Sequence, residues 1–331
     1  MISPQFSKPV YISIQDIFPK LYSVIPGWIR GNYYCVTAAT GVGKTKFTKY
    51  AFVEHSYKYC KKRNIPLKIV YFALEESKIK FWNTIRLDIL KSKYGIEITY
   101  YQFLGYHEGM TAEINKIVRE EIDPIIVDME KYIEVIDYVS NPTGIYRTSK
   151  NILMNLGSVT TGEESKDEHG NKESAYTYSY NHPDQQFMIV VDHVGLINGE
   201  KDPSGKFLTK HEAMSKWSEY VVRHLCPKYQ AMVVNVHQQE MAAENNEAFK
   251  LGRMEPSMEK LGDNKLIGRD YTVTIGLFNP IKHGMFDYKG LNIRPYGKLY
   301  RSFHLIKHRD GEPEILAHMK FGGASSKFEE I

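Results

Sequence analysis

Short apolar runs bounded by turn residues alternate along the chain with longer stretches of helical spacing. The runs predict strands at Tyr33–Thr37, Lys68–Ala73, Tyr132–Asp137, Phe187–Asp192 and Ala231–Val236, then Tyr271–Phe278, Leu299–Ile306 and Glu314–Phe321. The first five are strongly apolar, as strands covered on both faces should be. Helices are expected at Thr45–Lys62, Lys78–Tyr94, Thr148–Leu156 and Thr209–Lys228. Strands alternating with helices imply an α/β fold, a mostly parallel central sheet flanked by helices. Two polar segments interrupt the pattern. Ser158–Asp184, with a turn signal at Glu168-His169-Gly170-Asn171, reads as an inserted loop or hairpin. Gln239–Arg269 reads as a long loop, and long loops in compact domains are usually functional or disordered. No repeat or linker divides the chain, so one domain is expected.

Composition changes this picture little. Apolar residues make up 42% and charged ones 25% of 331, which is ordinary for a globular protein. A net charge of +4 neither demands nor excludes a nucleic-acid partner, because a local stripe of Lys and Arg is enough for phosphate contacts. Cys35, Cys60 and Cys226 are scattered, with neither a disulfide framework nor zinc spacing, which suits a reducing cytoplasm. The first residues lack the blocks of a signal peptide, and no apolar run is long enough to span a membrane.

The chemistry concentrates at strand ends. Ala38-Ala39-Thr40-Gly41-Val42-Gly43-Lys44-Thr45 lies between a predicted strand and a predicted helix. This is the form of a P-loop: backbone N–H groups from Ala39 to Lys46 wrap the phosphates of ATP and Lys44 reaches the β- and γ-phosphates. Thr45 would hold Mg²⁺ through its hydroxyl. The strict pattern has Gly where Ala38 stands. Phe72-Ala73-Leu74-Glu75-Glu76 ends a strand on two carboxylates, either of which could polarise a water aimed at the γ-phosphate or merely favour a helix N-terminus. Gln186–Asp192 is an apolar strand ending in Asp, the Walker-B form, with Asp192 as the second Mg²⁺ residue. Val236-His237-Gln238-Gln239 offers Gln238 or His237 as a γ-phosphate sensor. Lys307 and Arg309 sit two apart on a predicted strand edge and so face one side; alone they read as a solvated hairpin edge.

Taken in order, these segments resemble the C-terminal ATPase domain of hexameric DnaB-type replicative helicases, which have a RecA-like core. The resemblance runs from about Ile25 to the C-terminus and begins at Gly27-Trp28-Ile29-Arg30-Gly31. Family members also carry Ala at the position of Ala38. Phe72-Ala73-Leu74-Glu75 is similar to the family's Phe-Ser-Leu-Glu, which implies Glu75 as catalytic base. Val236-His237-Gln238 is similar to Leu-Ser-Gln, which implies Gln238 as sensor. Lys307-His308-Arg309-Asp310-Gly311-Glu312-Pro313 resembles Lys-Gln-Arg-Asn-Gly-Pro, whose Arg and Lys reach the neighbouring subunit's γ-phosphate. His193 and Gly195 depart from the family's Asp-Tyr-Leu-Gln-Leu-Met segment.

The resemblance implies a RecA-like domain over 25–331 with C-terminal antiparallel strands and an extra insertion at 158–184. Residues 1–24 become a short arm that could dock on a neighbouring subunit, in place of the family's N-terminal collar. Implied partners are single-stranded DNA, further copies in a hexamer or other ring or filament, and a primase or loader. Candidate DNA contacts are Lys201, Lys206 and Lys210 after Asp192, with Lys250, Arg253, Lys260 and Lys265 after Gln238. Two rival readings stand beside a helicase: a RecA-like ATPase acting in recombination or loading without unwinding, and a non-catalytic ATP-binding regulatory subunit.

Overall fold

The computed structural model describes residues 10–166, 172–240, 253–313, 315–322 and 326–331, without the side chains of 161–166 and 172–176. Nine strands build the central sheet: β1 (Tyr33–Ala38), β2 (Leu67–Ala73), β3 (Ile133–Ile136), β4 (Gln186–Asp192), β5 (Met232–Gln238), β6 (Val273–Phe278), β7 (Tyr300–His308), β8 (Ile315–Gly322) and β9 (Lys327–Glu330). Their order is β9-β8-β7-β6-β1-β5-β4-β2-β3. Strands β1 to β6 run parallel, and β7, β8 and β9 extend the sheet antiparallel from β6. The expected α/β architecture with its antiparallel C-terminal strands is therefore present.

Alternation within each strand feeds two separate cores. Tyr34, Val36 and Tyr71 face the layer containing Phe47, Phe52 and Phe81, while Tyr33, Cys35, Val70 and Phe72 face the layer containing Met214, Trp217 and Leu225. Both sides of β1 and β4 are buried throughout, which is why their sequences read as unbroken apolar runs.

Several boundaries move from expectation. The helix after the P-loop runs Lys44–Thr48, passes through a π-helical Lys49–Glu54 and continues as His55–Arg63. The helix expected from Thr148 begins at Pro142, with the Asn141 side chain accepting from the Gly144 N–H at 2.6 Å. Pro at the first helical position gives up an N–H that would be unpaired anyway, so the start lies earlier than the apolar spacing indicates. A helical run over Ala112–Ile117, Val118–Ile122 and Asp123–Tyr132 lies outside the expected set, and it takes Tyr132 out of the expected strand. The helix expected over Thr209–Lys228 is Lys210–Tyr220 followed by π-helical Val221–Leu225. The final strand β9 is likewise an addition to the expected strands.

The insertion is a two-stranded antiparallel hairpin, Gly157–Lys166 with Lys172–Tyr180; its expected turn lies outside the described residues. Its base is fastened by the Tyr178 hydroxyl donating to the Leu153 carbonyl (2.7 Å) and that of Tyr180 to Tyr229 (2.9 Å). Residues 10–24 fold onto their own chain. Tyr11–Ser13 pairs with Gly27–Ile29, and Ile12, Ile14, Phe18 and Leu21 are buried. Four apolar side chains make this stretch part of the core, which corrects its reading as an arm; residues 1–9 lie outside the described residues. Among the described residues no helix is long and apolar enough to cross a membrane.

Candidate functional site

The carboxyl ends of β1, β2, β4 and β5 meet at one edge of the sheet, and the sequence-predicted residues gather there. The loop from Ala38 to Lys44 turns through Gly41 (φ 77°) and Gly43 (φ 113°), both in the left-handed region that glycine adopts without steric cost. Gly43 then caps the helix, its carbonyl accepting from the Phe47 N–H at 2.8 Å. Val42 is buried; Ala39, Lys44, Thr45 and Lys46 are half-buried; Thr40 and Gly41 are exposed. A tight loop opening a helix presents N–H groups and the positive end of the helix dipole to an anion. The Lys44 ammonium donates to the carbonyls of Ala38 (3.0 Å) and Ala39 (3.3 Å), lying across this loop.

Beside the loop, the Thr45 hydroxyl donates to Asp192 Oδ1 at 3.3 Å, while the Tyr71 hydroxyl donates to Oδ2. Asp192 is 1% exposed, and burial pushes its carboxyl up to about 6 despite the Tyr71 bond. A hydroxyl and a carboxylate are hard oxygen donors. They fit Mg²⁺, which takes one or two protein oxygens and completes its shell with phosphate and water. A cleft of about 290 Å³ opens here, lined by Thr45, Lys46, Lys49, Glu75, Glu76, Lys80, Thr84 and Asp192.

The two carboxylates after β2 separate clearly. Glu76 pairs with the ammonium of Lys49, which is 1% exposed and lies 4.5 Å from the Phe81 ring centroid. Glu75 is exposed on the cleft, with its backbone N–H held by the Asp192 carbonyl at 3.3 Å. A carboxylate tied to a buried cation is a structural partner, whereas an exposed one beside the loop can orient water.

At the end of β5, Gln238 and His237 point to different neighbours. Gln238 donates from Nε2 to the Thr40 hydroxyl at 2.7 Å, touching the phosphate loop. His237 is buried between the Tyr271 hydroxyl (3.3 Å) and the Gly262 carbonyl (2.7 Å), and burial lowers it to about 4, so it stays neutral. The long loop folds back on this strand: Gly262 N–H donates to the Gln238 carbonyl (2.9 Å) and Gln239 bridges Leu261.

The predicted DNA contacts are spread over both loops. Lys206 pairs with Glu212 (3.2 Å), Lys210 with Asp263 (2.9 Å) and Lys265 with Glu240 (3.0 Å). Lys260 donates to the carbonyls of Arg253 and Glu255, shaping its own loop. Lys201 and Arg253 are exposed, and Lys250 lies outside the described residues. Phe207, 62% exposed between Lys201 and Lys210, is an aromatic surface that a search by charge passes over.

Lys307 and Arg309 lie at the opposite edge of the sheet. The Arg309 N–H donates to the Thr272 carbonyl (3.0 Å), and the Thr272 N–H to that of Tyr33, where β1 begins (2.7 Å). The phosphate loop starts at the other end of β1, roughly 16 Å away along the strand. Both cations face one side as expected, and both donate to the Arg269 carbonyl, Lys307 at 2.8 Å and Arg309 at 3.2 Å.

Tyr71, Lys49 and Arg301 also shape the site and carry no motif. Arg301 is 5% exposed and donates from Nε to the Val42 carbonyl at 2.7 Å. Only a lone Arg within an apolar strand pattern could have drawn attention to it.

No protein-family model matches the chain, and no curated protein matches its sequence. Solved structures do. The ATPase domain of one replicative helicase superposes with a TM-score of 0.66 at 13% identity, covering 98% of this chain and 93% of that one. A DnaB-like replicative helicase, described with its interactions with primase, gives 0.63 at 13% identity, covering 96% of this chain. The chain spans 61% of that helicase's length. The fold is thus that of the ATPase domains of DnaB-like replicative helicases.

Proposed function

We propose that this chain is a DnaB-type, ATP-dependent DNA helicase or translocase that hydrolyses ATP between subunits and moves on single-stranded DNA during replication. The observation that carries the reading is the division of the site between opposite edges of one sheet. Lys44, Thr45, Glu75, Asp192 and Gln238 gather at the carboxyl ends, while Lys307 and Arg309 stand at the far end of β1. One subunit cannot bring its own Arg309 to its own phosphate loop. A second copy can, and that makes hydrolysis depend on assembly.

In this reading the loop amides and Lys44 bind the triphosphate, and Glu75 orients the attacking water and accepts its proton. Mg²⁺ held by Thr45 and Asp192 would neutralise charge on the β- and γ-phosphate oxygens. Gln238 senses the γ-phosphate through Thr40, and its backbone passes the change to Gly262 in the following loop. Arg309, with Lys307, supplies cations to the neighbour's transition state. Single-stranded DNA lies against the loops after β4 and β5, where exposed Lys201 and Arg253 meet its backbone. Further partners are other copies of this chain in a ring and, by analogy with the primase named with the second structure, a primase or loader. The cytoplasm is the compartment such a motor requires.

The test is strand displacement on a forked DNA with ATP and Mg²⁺, alongside particle mass with an ATP analogue and single-stranded DNA. A ring that hydrolyses ATP on DNA yet never displaces a strand sinks the helicase reading. It would favour an ATPase acting in recombination or loading, a reading supported by the carboxylate partners of Lys206, Lys210 and Lys265.

A further inference from the structure

Arg301 is the second residue of β7 and lies beneath the phosphate loop. Its side chain donates to three carbonyls: Val42 (2.7 Å, from Nε), Tyr300 (2.7 Å) and Lys298 (2.9 Å). The guanidinium lies 5.0 Å from the Phe321 ring centroid, and Phe321 stacks on Phe328 at 4.6 Å. Both rings lie 3.6 Å from where a Cβ on Gly43 would stand, so guanidinium and rings form one floor under Val42 and Gly43. Burial lowers Arg301 to about 10, which leaves it charged at neutral pH. Among the described residues no carboxylate lies within ion-pair range of it.

Two physical facts turn this into a role. A trans peptide is planar, so the Val42 carbonyl and the Gly43 N–H point in opposite directions. Pinning that carbonyl down onto Arg301 therefore aims the Gly43 N–H up into the loop, where a phosphate would sit. A charged donor on the carbonyl also polarises the peptide and strengthens its N–H as a donor. The second fact concerns charge. A buried cation without a counter-ion is costly, and an anion above the loop would offset that cost.

We infer that Arg301 is a positioning residue for nucleotide phosphate: it fixes and polarises the Val42–Gly43 peptide, and the bound phosphates supply its missing counter-charge. The inference rests on reading the loop as a phosphate cradle. It concerns binding of ground state and transition state alike, so its loss should raise KM and leave kcat nearly unchanged. The effect should follow the phosphates, falling on ADP and ATP and sparing adenosine.

The experiment compares wild type with Arg301→Gln and Arg301→Lys, measuring ADP and non-hydrolysable ATP analogue binding by calorimetry, steady-state hydrolysis, and the Gly43 amide proton shift by NMR. Arg301→Gln should weaken ADP roughly ten- to hundredfold, the worth of a charge-assisted hydrogen bond. Arg301→Lys, which keeps the charge with one donor, should recover most of this, and the Gly43 amide should move upfield in the order wild type, Lys, Gln. A purely structural role would lower thermal stability and leave nucleotide affinity and the Gly43 shift of the folded fraction unchanged; that result overturns the inference, as does a loss of kcat at unchanged KM. If Arg301→Gln yields no folded protein, Arg301→Lys decides by the same readouts, a severalfold loss of affinity supporting the inference and none overturning it. Failure of wild type to bind ADP, or equal binding by Lys44→Ala, would instead remove the cradle reading itself.

Discussion

The two edges of the central sheet are built differently. At the carboxyl ends, nearly every functional group is held by its own chain: Asp192 by Thr45 and Tyr71, Glu76 by Lys49, Gln238 by Thr40, and the Val42 carbonyl by Arg301. At the opposite edge, Arg309 is exposed and donates only to a neutral carbonyl of Arg269. A charge-assisted bond to a phosphate is stronger than one to a neutral carbonyl, so Arg309 loses little by leaving its present partner. One edge is preorganised within the subunit, and the other is held ready for a second one.

The sharpest way to break this comparison is Arg309→Ala. An arginine supplied in trans is worth about 10³–10⁵ in kcat, so the variant should lose hydrolysis while binding ADP within a few-fold of wild type. Mixing it with Lys44→Ala, itself inactive, should restore part of the activity, because each variant supplies the half-site the other lacks. Steady-state ATPase of the mixture against each variant alone checks this, and no recovery at any ratio would falsify the divided site.

A next smaller effect separates the adjacent carboxylates. Glu75→Gln should lower kcat about 10²–10⁴-fold with little change in thermal stability, as expected for loss of a base. Glu76→Gln should do the reverse. It leaves the buried Lys49 ammonium without its partner, a change that costs about 3–5 kcal/mol and is read as a lowered denaturation midpoint. Equal kinetic losses in the two variants would mean that the Lys49 ion pair does not distinguish them.

These two residues also show where sequence reasoning stops. The parallel strands are legible because burial on both faces leaves unbroken apolar runs, and the phosphate loop because glycine, lysine and threonine each answer a distinct need. Glu75 and Glu76 are indistinguishable from their own strand; only the π-helical stretch starting at Lys49 brings a buried ammonium to one of them. Tyr71 and Arg301 are strand residues whose partners, Asp192 and Val42, lie 121 and 259 positions away, and no local pattern encodes such a meeting. The strand Lys327–Glu330 is hidden because four residues with one apolar side chain carry almost no periodicity. Residues 10–24 differ for the opposite reason. Their apolar side chains are plain to see, but a short segment ahead of the first motif reads as an arm until its partners in the core are in place.

Asp192→Asn tests whether the preorganised edge is maintained at the expense of stability. A carboxyl raised from about 4 to about 6 binds its proton more tightly in the folded state than in the unfolded one. Ligand-free stability should therefore fall as pH rises through this window, with the penalty fully present above about 6 and relieved below about 4. The amide carries no charge and still accepts from Tyr71. The variant should gain about 2 kcal/mol at pH 7.5, lose that pH dependence, and lose Mg²⁺-dependent nucleotide binding. Denaturation midpoints at pH 4.5 and 7.5 decide it; a variant less stable than wild type at the higher pH counts against the penalty.

The smallest effect lies at β5, where one strand end serves both loop and cradle. Gln238→Ala removes one hydrogen bond to Thr40, worth about 0.5–1.5 kcal/mol, so basal kcat should fall only about two- to tenfold. Stimulation by single-stranded DNA should fall further, because the Gln238 carbonyl is also where Gly262 anchors the long loop. His237 provides the control. Buried on the Gly262 carbonyl and lowered to about 4, it stays neutral across the working range, so it should contribute no inflection to a kcat–pH profile between 5.5 and 8.5. An inflection near 6.5 that disappears in His237→Gln would transfer the sensing role from Gln238 to the histidine.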